Sequence, residues 1–247
     1  MLERAHLIVV ADESALAERV ARHTLDAGTA AIARHGRFDL ALAGGSTPKA
    51  AYRLLAAAPL RGEIDWSKVR FFFGDERCVP PDDDESNYKM ARVNLLEPLG
   101  IAAPAIFRME GDREPQAAAA AYAGILSREL EPGDAGAPSF DLVMLGMGPD
   151  GHTASLFPGS DPFDDDDRLV RAPDVAKFRA YRITLTPRVI NAAREVAVAT
   201  AGPTKTDALA AVLTGPYEPS TYPSQILEPR RGTLTWLVDE AAAANLR

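Results

Sequence analysis

Four short polar segments carry the side chains of this 247-residue chain best suited to chemistry on a small molecule. The most pointed is Gly146-Met147-Gly148-Pro149-Asp150-Gly151-His152-Thr153. Histidine titrates near neutrality and is the usual general base. A loop shaped by Gly148, Pro149 and Gly151 would set His152 beside a ligand rather than in a core. Asp150 either orients the imidazole or closes an Asx turn. The second segment, Gly44-Gly45-Ser46-Thr47-Pro48, has the parts of a phosphate cradle. Two glycines allow close backbone approach, and Ser46 and Thr47 add hydroxyls. A helix starting near Pro48 presents free N–H groups at its positive end. The same residues also read as a helix start capped by Ser46 or Thr47. The P-loop lysine and the Gly-x-Gly-x-x-Gly pattern are both missing, so no nucleotide site is expected.

The third segment is Gly74-Asp75-Glu76-Arg77. Its adjacent carboxylates can supply or orient a base, and Arg77 can grip an anion with two N–H groups. An isolated Asp-Glu-Arg is commonly a surface salt-bridge cluster. Here it follows Phe71-Phe72-Phe73, and charges emerging from a buried strand need partners. The fourth, Gly202-Pro203-Thr204-Lys205, places a cation near a helix N-terminus, an unfavourable position unless an anion binds there. Otherwise Lys205 simply extends into solvent.

The elements around these segments alternate. Apolar runs at 7–10, 38–43, 69–73, 140–145, 195–200 and 233–238 predict strands, with shorter ones at 105–109, 169–171 and 181–185. Helical patterns span 14–32, 48–57, 87–96, 114–130, 187–193 and 204–213. That alternation predicts an α/β fold, doubly wound, with a mostly parallel sheet flanked by helices on both faces. The chemistry-bearing segments follow apolar strands, and ligands of open α/β sheets bind outside the carboxyl ends of strands. No Pro-, Gly- or Ser-rich linker divides the chain, so residues 1–247 are expected to form a single domain. The acidic run Asp164–Asp167 reads as a solvated loop tip, with a cation site as the alternative.

Composition narrows the function. A 47% hydrophobic and 25% charged chain is ordinary for a globular protein. The net charge of −8 argues against a nucleic-acid partner. Cys78 is the only cysteine, so no intramolecular disulfide can form. The first apolar run is too short for a signal peptide or a membrane span, and a cytoplasmic location without membrane partners is expected.

Together the segments resemble the 6-phosphogluconolactonase family over nearly the whole chain. The matching stretches are 42–48, 73–77 with Ser86-Asn87-Tyr88, 146–158, 182–186 and 202–205, in matching order. The resemblance implies hydrolysis of 6-phospho-D-glucono-1,5-lactone to 6-phosphogluconate in the oxidative pentose phosphate pathway, with no cofactor and no metal. It implies a catalytic role for His152, and phosphate binding by Gly44, Gly45, Ser46, Thr47 and Lys205, with Arg182 or Arg77 assisting. Asp150 and Asp75 join His152 as catalytic candidates, Asp75 to orient the histidine or the water. Glu76, Asn87, Gly148 and Gly151 would also line the site. The partner expected is a small phosphorylated sugar lactone, bound by a monomer or small homo-oligomer. Glucosamine-6-phosphate deaminases have a related turn but carry a carboxylate five residues after the histidine, where this chain has Phe157. They also tend to carry Asp-Glu-Tyr in place of Asp75-Glu76-Arg77. A non-catalytic sugar-phosphate-binding regulator is the remaining alternative.

Overall fold

Strands buried on both faces must be apolar throughout, and the longest apolar runs become the centre of the structure. The computed structural model describes residues 5–160 and 167–246. Ten strands form among them: β1 (Ala5–Val10), β2 (Phe38–Leu42), β3 (Val69–Phe73), β4 (Asp75–Arg77), β5 (Leu142–Gly146), β6 (Val170–Arg171), β7 (Asp174–Val175), β8 (Ala180–Leu185), β9 (Glu195–Thr200) and β10 (Thr233–Asp239). The α-helices are α1 (Glu13–His35), α2 (Ser46–Leu55), α3 (Asn87–Ala91), α4 (Glu97–Leu99), α5 (Pro115–Glu129), α6 (Pro187–Ile190) and α7 (Thr206–Thr214). A six-stranded parallel sheet runs in the order β1-β10-β9-β5-β2-β3. From β2 the chain winds outward to β3; from β5 it winds the other way to β9 and β10. The reversal leaves a crevice between the carboxyl ends of β2 and β5.

Helix α1 shows how local sequence meets this sheet. Asp12 caps it by accepting from the Ala15 N–H at 2.9 Å, and Gly36 ends it at φ 86°. Leu16, Val20, Ala21, Leu25 and Ala31 form its buried stripe. Helix α5 is tied down by Tyr122, whose hydroxyl accepts from the Phe73 N–H at 2.8 Å. Among the described residues, no helix is long and apolar enough to cross a membrane.

Three features depart from the sequence expectations. First, Asp75–Arg77 is a strand, and β4, β8 and β6 make a second, antiparallel sheet, with β7 pairing on β8. Gly74 is the pivot: its N–H donates to Leu42 O of β2, and its carbonyl accepts from Leu185 N of β8, each at 2.9 Å. Second, 105–109 forms only a single bridge, Ile106 to Phe71, after a 3₁₀ turn at Ala103–Ala105. Pro104 has no N–H to donate, and the Phe107 carbonyl is taken by the Tyr122 hydroxyl at 3.3 Å. Third, the helix expected over 87–96 changes to π geometry at Arg92–Leu96. Pro98 cannot donate to the Asn94 carbonyl and its ring crowds that group, so the turn before it widens. The Asp164–Asp167 run lies outside the described residues except for Asp167, which pairs with Arg188.

Candidate active site

The crevice holds a cavity of about 250 Å³. Its walls come from the segments after β2, β3, β5 and β9, and from Glu13 after β1. Gly44, Gly45, Ser46, Thr47, Asp75, Arg77, Asn87, Gly148, His152 and Lys205, all expected in the site, line it.

The loop after β2 delivers the start of α2 to the cavity. Helix α2 begins at Ser46, two residues before the expected start, with Gly45 at the N-cap and no side-chain capping bond. The hydroxyls of Ser46 and Thr47 are therefore not used as the cap. Gly45 sits at φ 105° and ψ 171°, a backbone that only glycine adopts freely. Gly44 is required for a different reason. A Cβ there would lie 2.0 Å from Asn87 Oδ1. Asn87 in turn donates from Nδ2 to the Asp75 side chain at 3.1 Å and to its carbonyl at 3.0 Å.

The loop after β5 carries His152. Gly148 N donates to His152 O at 2.8 Å, and Gly151, at φ 73°, completes the turn. Asp150 Oδ1 lies 2.5 Å from His152 Nδ1, and Lys177 Nζ donates to Asp150 Oδ2 at 2.9 Å. Burial alone would push the Asp150 carboxyl up. Its hydrogen bonds from His152 and Lys177 outweigh that and hold it well below the usual carboxylate range. An ionised Asp150 accepts from Nδ1–H, which leaves Nε2 as the basic nitrogen of the neutral imidazole. The ring of Phe157 lies against the imidazole at 4.3 Å between centroids. Ala154, on the cavity wall, is held at φ 46°, a strained conformation for a residue with a Cβ.

Asp75 belongs to a different network from His152. Its Oδ2 accepts from Ser155 Oγ at 2.7 Å and its Oδ1 from Asn87. Of the two roles expected for Asp75, orienting the histidine or the water, the first has no hydrogen bond among the described residues: Asp150 holds the ring, and Asp75 faces the cavity beside it. Glu76 does not line the cavity. It is buried, and its two oxygens accept from the backbone N–H groups of Arg77, Asn87 and Tyr88, each at 2.8 Å, and from Ser86 Oγ at 3.1 Å. Burial raises its pKa, more than these bonds lower it. Its part is to fold the 77–88 loop that brings Asn87 to Asp75. Asp150 and Gly151 also stand behind the cavity wall, and a Cβ on Gly151 would press on Tyr222 at 2.9 Å.

The cations divide as well. Lys205 lines the cavity, half buried and without an ion pair to any described residue. Burial lowers its pKa, Asp150 raises it and Lys177 lowers it further. Arg77 lines the cavity and donates from Nη1 to Glu85 O at 2.6 Å. Arg182, its register partner across β4 and β8, does not. Its guanidinium lies over the Phe178 ring at 4.9 Å, and its pKa is lowered by burial and then by Arg77. Cys78 is half-buried, and burial pushes its thiol up, the reverse of an activated nucleophile.

Sequence reasoning missed Glu13, Ser155, Thr200 and Lys177. Thr200 and Glu13 sit on the cavity wall, and the Thr200 hydroxyl is buried without a hydrogen-bond partner among the described residues. A threonine ending an apolar strand carries no local signal of this. Lys177 lies 25 residues beyond His152, in a turn between two short strands, where spacing says nothing.

The fold and the cavity define a sugar-phosphate enzyme of the α/β type, and the chain belongs to the glucosamine-6-phosphate isomerase/6-phosphogluconolactonase family, matching it over residues 11–236. More narrowly, it is 40% identical to the 6-phosphogluconolactonase of Nostoc sp. over 239 residues, 96% of this chain and 97% of that protein. It is 42% identical to that of Treponema pallidum over 196 residues, covering 78% of this chain and 79% of the relative. The solved structure of the 6-phosphogluconolactonase from Trypanosoma brucei superimposes with a TM-score of 0.87 at 31% identity, over 99% of each chain. A monomeric glucosamine-6-phosphate deaminase shares the fold alone, with a TM-score of 0.80 at 20% identity.

Proposed function

We propose that the chain hydrolyses 6-phospho-D-glucono-1,5-lactone to 6-phospho-D-gluconate. The observation that carries this reading is one cavity holding both a charged-partner histidine and a phosphate cradle. His152 has its Nδ1 engaged by Asp150, and the uncapped start of α2 and Lys205 line the same walls. The N-terminus of α2 and Lys205 take the phosphate, with Arg77 assisting. The lactone ring then extends toward His152. A lactone carbonyl is already electrophilic, so the protein has three tasks: activating water, steadying an oxyanion and protonating the leaving ring oxygen.

Neutral His152 takes a proton from water through Nε2 as the water oxygen bonds to C1. The carbonyl oxygen becomes an oxyanion, held by backbone N–H groups of the glycine-rich turns. The bond from C1 to the ring oxygen then breaks, and the imidazolium returns its proton to that oxygen. Asp150 stays ionised throughout and stabilises the imidazolium. Asp75, fixed by Ser155 and Asn87, orients the water or a sugar hydroxyl.

Phe157 favours this reading over a deaminase. An apolar ring packs on His152 where a deaminase carries a carboxylate, and a phenyl group cannot exchange a proton. The test follows acid release from freshly generated lactone, with glucosamine 6-phosphate as the contrasting substrate. Hydrolysis well above the spontaneous rate is expected. Turnover no faster than background, or ammonia release from glucosamine 6-phosphate, would overturn the assignment. For Lys205→Ala, loss of a charge-assisted bond of about 1.5 kcal/mol or more should raise KM at least about tenfold, with a smaller fall in kcat. An unchanged KM would remove Lys205 from the phosphate site.

A further inference from the structure

The hairpin of β7 and β8 reaches the imidazole from two sides. Its register pairs Asp174 with Tyr181 and Val175 with Ala180. Phe178 N donates to Val175 O at 2.9 Å, and Arg179 closes the turn at φ 50°. Lys177 therefore projects from a backbone that is hydrogen-bonded in place. From one side its Nζ donates to Asp150 Oδ2, while Asp150 Oδ1 holds His152 Nδ1. From the other, Phe178 packs edge-on against Phe157 at 5.4 Å, and Phe157 lies on the imidazole. We propose that Lys177 is a positioning residue of the reaction, clamping the second oxygen of Asp150 so that the carboxylate keeps His152 in its Nδ1–H tautomer with Nε2 free. The inference rests on the lactonase reading for its catalytic consequence, not for its geometry.

The physical case starts from the aspartate side chain. Its terminal torsion is broad and roughly two-fold, so the bonds to Oδ1 alone, from His152 Nδ1 and from the His152 N–H at 3.4 Å, do not fix the carboxylate plane. A donor on Oδ2 does, because rotating the carboxylate then breaks two charge-assisted bonds together. Charge supplies the second argument. The groups facing His152 are Asp150 and Lys177 on its Nδ1 side, with Glu13, Asp75, Arg77 and Lys205 around the cavity. The ammonium on Oδ2 offsets part of the carboxylate's charge while leaving Oδ1 to the imidazole. Lys177 thus holds Asp150 in register with His152 Nδ1. As an exposed ion pair it adds little to stability. Its effect is on orientation and tautomer.

The test is ¹⁵N NMR of the imidazole nitrogens in the whole protein at a pH where the rings are neutral, on wild type, Lys177→Met and Lys177→Arg. Wild type and Lys177→Arg should show His152 as a single Nδ1–H tautomer. In Lys177→Met the two nitrogen shifts should move toward each other as the tautomers mix. In the lactone assay kcat should fall roughly two- to fivefold in Lys177→Met, on the scale of an exposed ion pair, with KM unchanged and Lys177→Arg restoring the rate. A wild-type ring that is not in the Nδ1–H form, a Lys177→Met tautomer like wild type, or a loss that Lys177→Arg does not restore would each overturn the inference. Tautomer changes as expected in a protein without lactonase activity would instead sink the functional reading and leave the clamp standing.

Discussion

Replacing His152 by alanine is expected to lower kcat for lactone hydrolysis by about 10²–10⁴-fold, the usual contribution of a positioned general base. KM should stay within a few-fold of wild type, because the phosphate contacts proposed above lie elsewhere on the cavity wall. The variant should fold. The imidazole is only partly buried, its one partner Asp150 keeps Lys177, and Phe157 remains packed on Phe178. The comparison needs the spontaneous hydrolysis rate as its baseline, since the lactone opens slowly by itself. Retained activity would mean that another group activates the water, and the acids facing the same cavity are Asp75 and Glu13. Asp75→Asn and Glu13→Gln would then show which of them carries the rate.

The second large effect is expected from a residue without a side chain. A Cβ on Gly148 would lie 2.0 Å from His152 Nδ1 and 2.6 Å from Asp150 Oδ1. Neither atom can give way while the 2.5 Å contact between them survives. Gly148→Ala should therefore displace the imidazole by around an ångström, and misplacement of that size costs roughly 100-fold in rate. The backbone there does not need glycine's left-handed freedom, so the penalty falls on the Asp150–His152 pair rather than on the turn. Measuring kcat/KM alongside the thermal midpoint separates the two. Full activity in a folded Gly148→Ala protein would show that the Asp150–His152 contact is dispensable.

Much of this arrangement is legible in the amino-acid order, because its parts are local. Apolar runs such as Phe38–Leu42 and Val69–Phe73 become doubly buried strands. A glycine-rich turn after such a strand lands at the sheet's carboxyl edge whatever the rest of the chain does. His152, Asp150, Ser46 and Lys205 are found that way. The small antiparallel sheet is not, since β4 is three charged residues whose pairing is decided by β8, about a hundred positions later. The partner of Asp75 was equally hidden: Ser155 reaches it only because the turn after His152 folds back, with Thr153 Oγ1 on Gly146 O at 2.9 Å. The sequence leaves Arg182 and Arg77 as alternatives. As register partners they leave the same face of the antiparallel pair, and only the ends of their side chains part, Arg182 over Phe178 and Arg77 at the cavity. Composition cannot tell two arginines on paired strands apart.

The buried carboxylate of Glu76 bears on which sugars the chain can accept. Two helices begin close to the crevice, α2 and α3, and each presents the unsatisfied N–H groups that suit an anion. At α3 the chain supplies the anion itself: Glu76 takes the N–H groups of Asn87 and Tyr88, and Ser86 caps the turn. At α2 no side chain does so. Of these two helix ends beside the crevice, one is thus answered from within, and on the proposed reading the other takes the substrate's phosphate. Under that reading a sugar bearing a single phosphate matches the count, and a bisphosphate would bring a second charge to a helix end already neutralised.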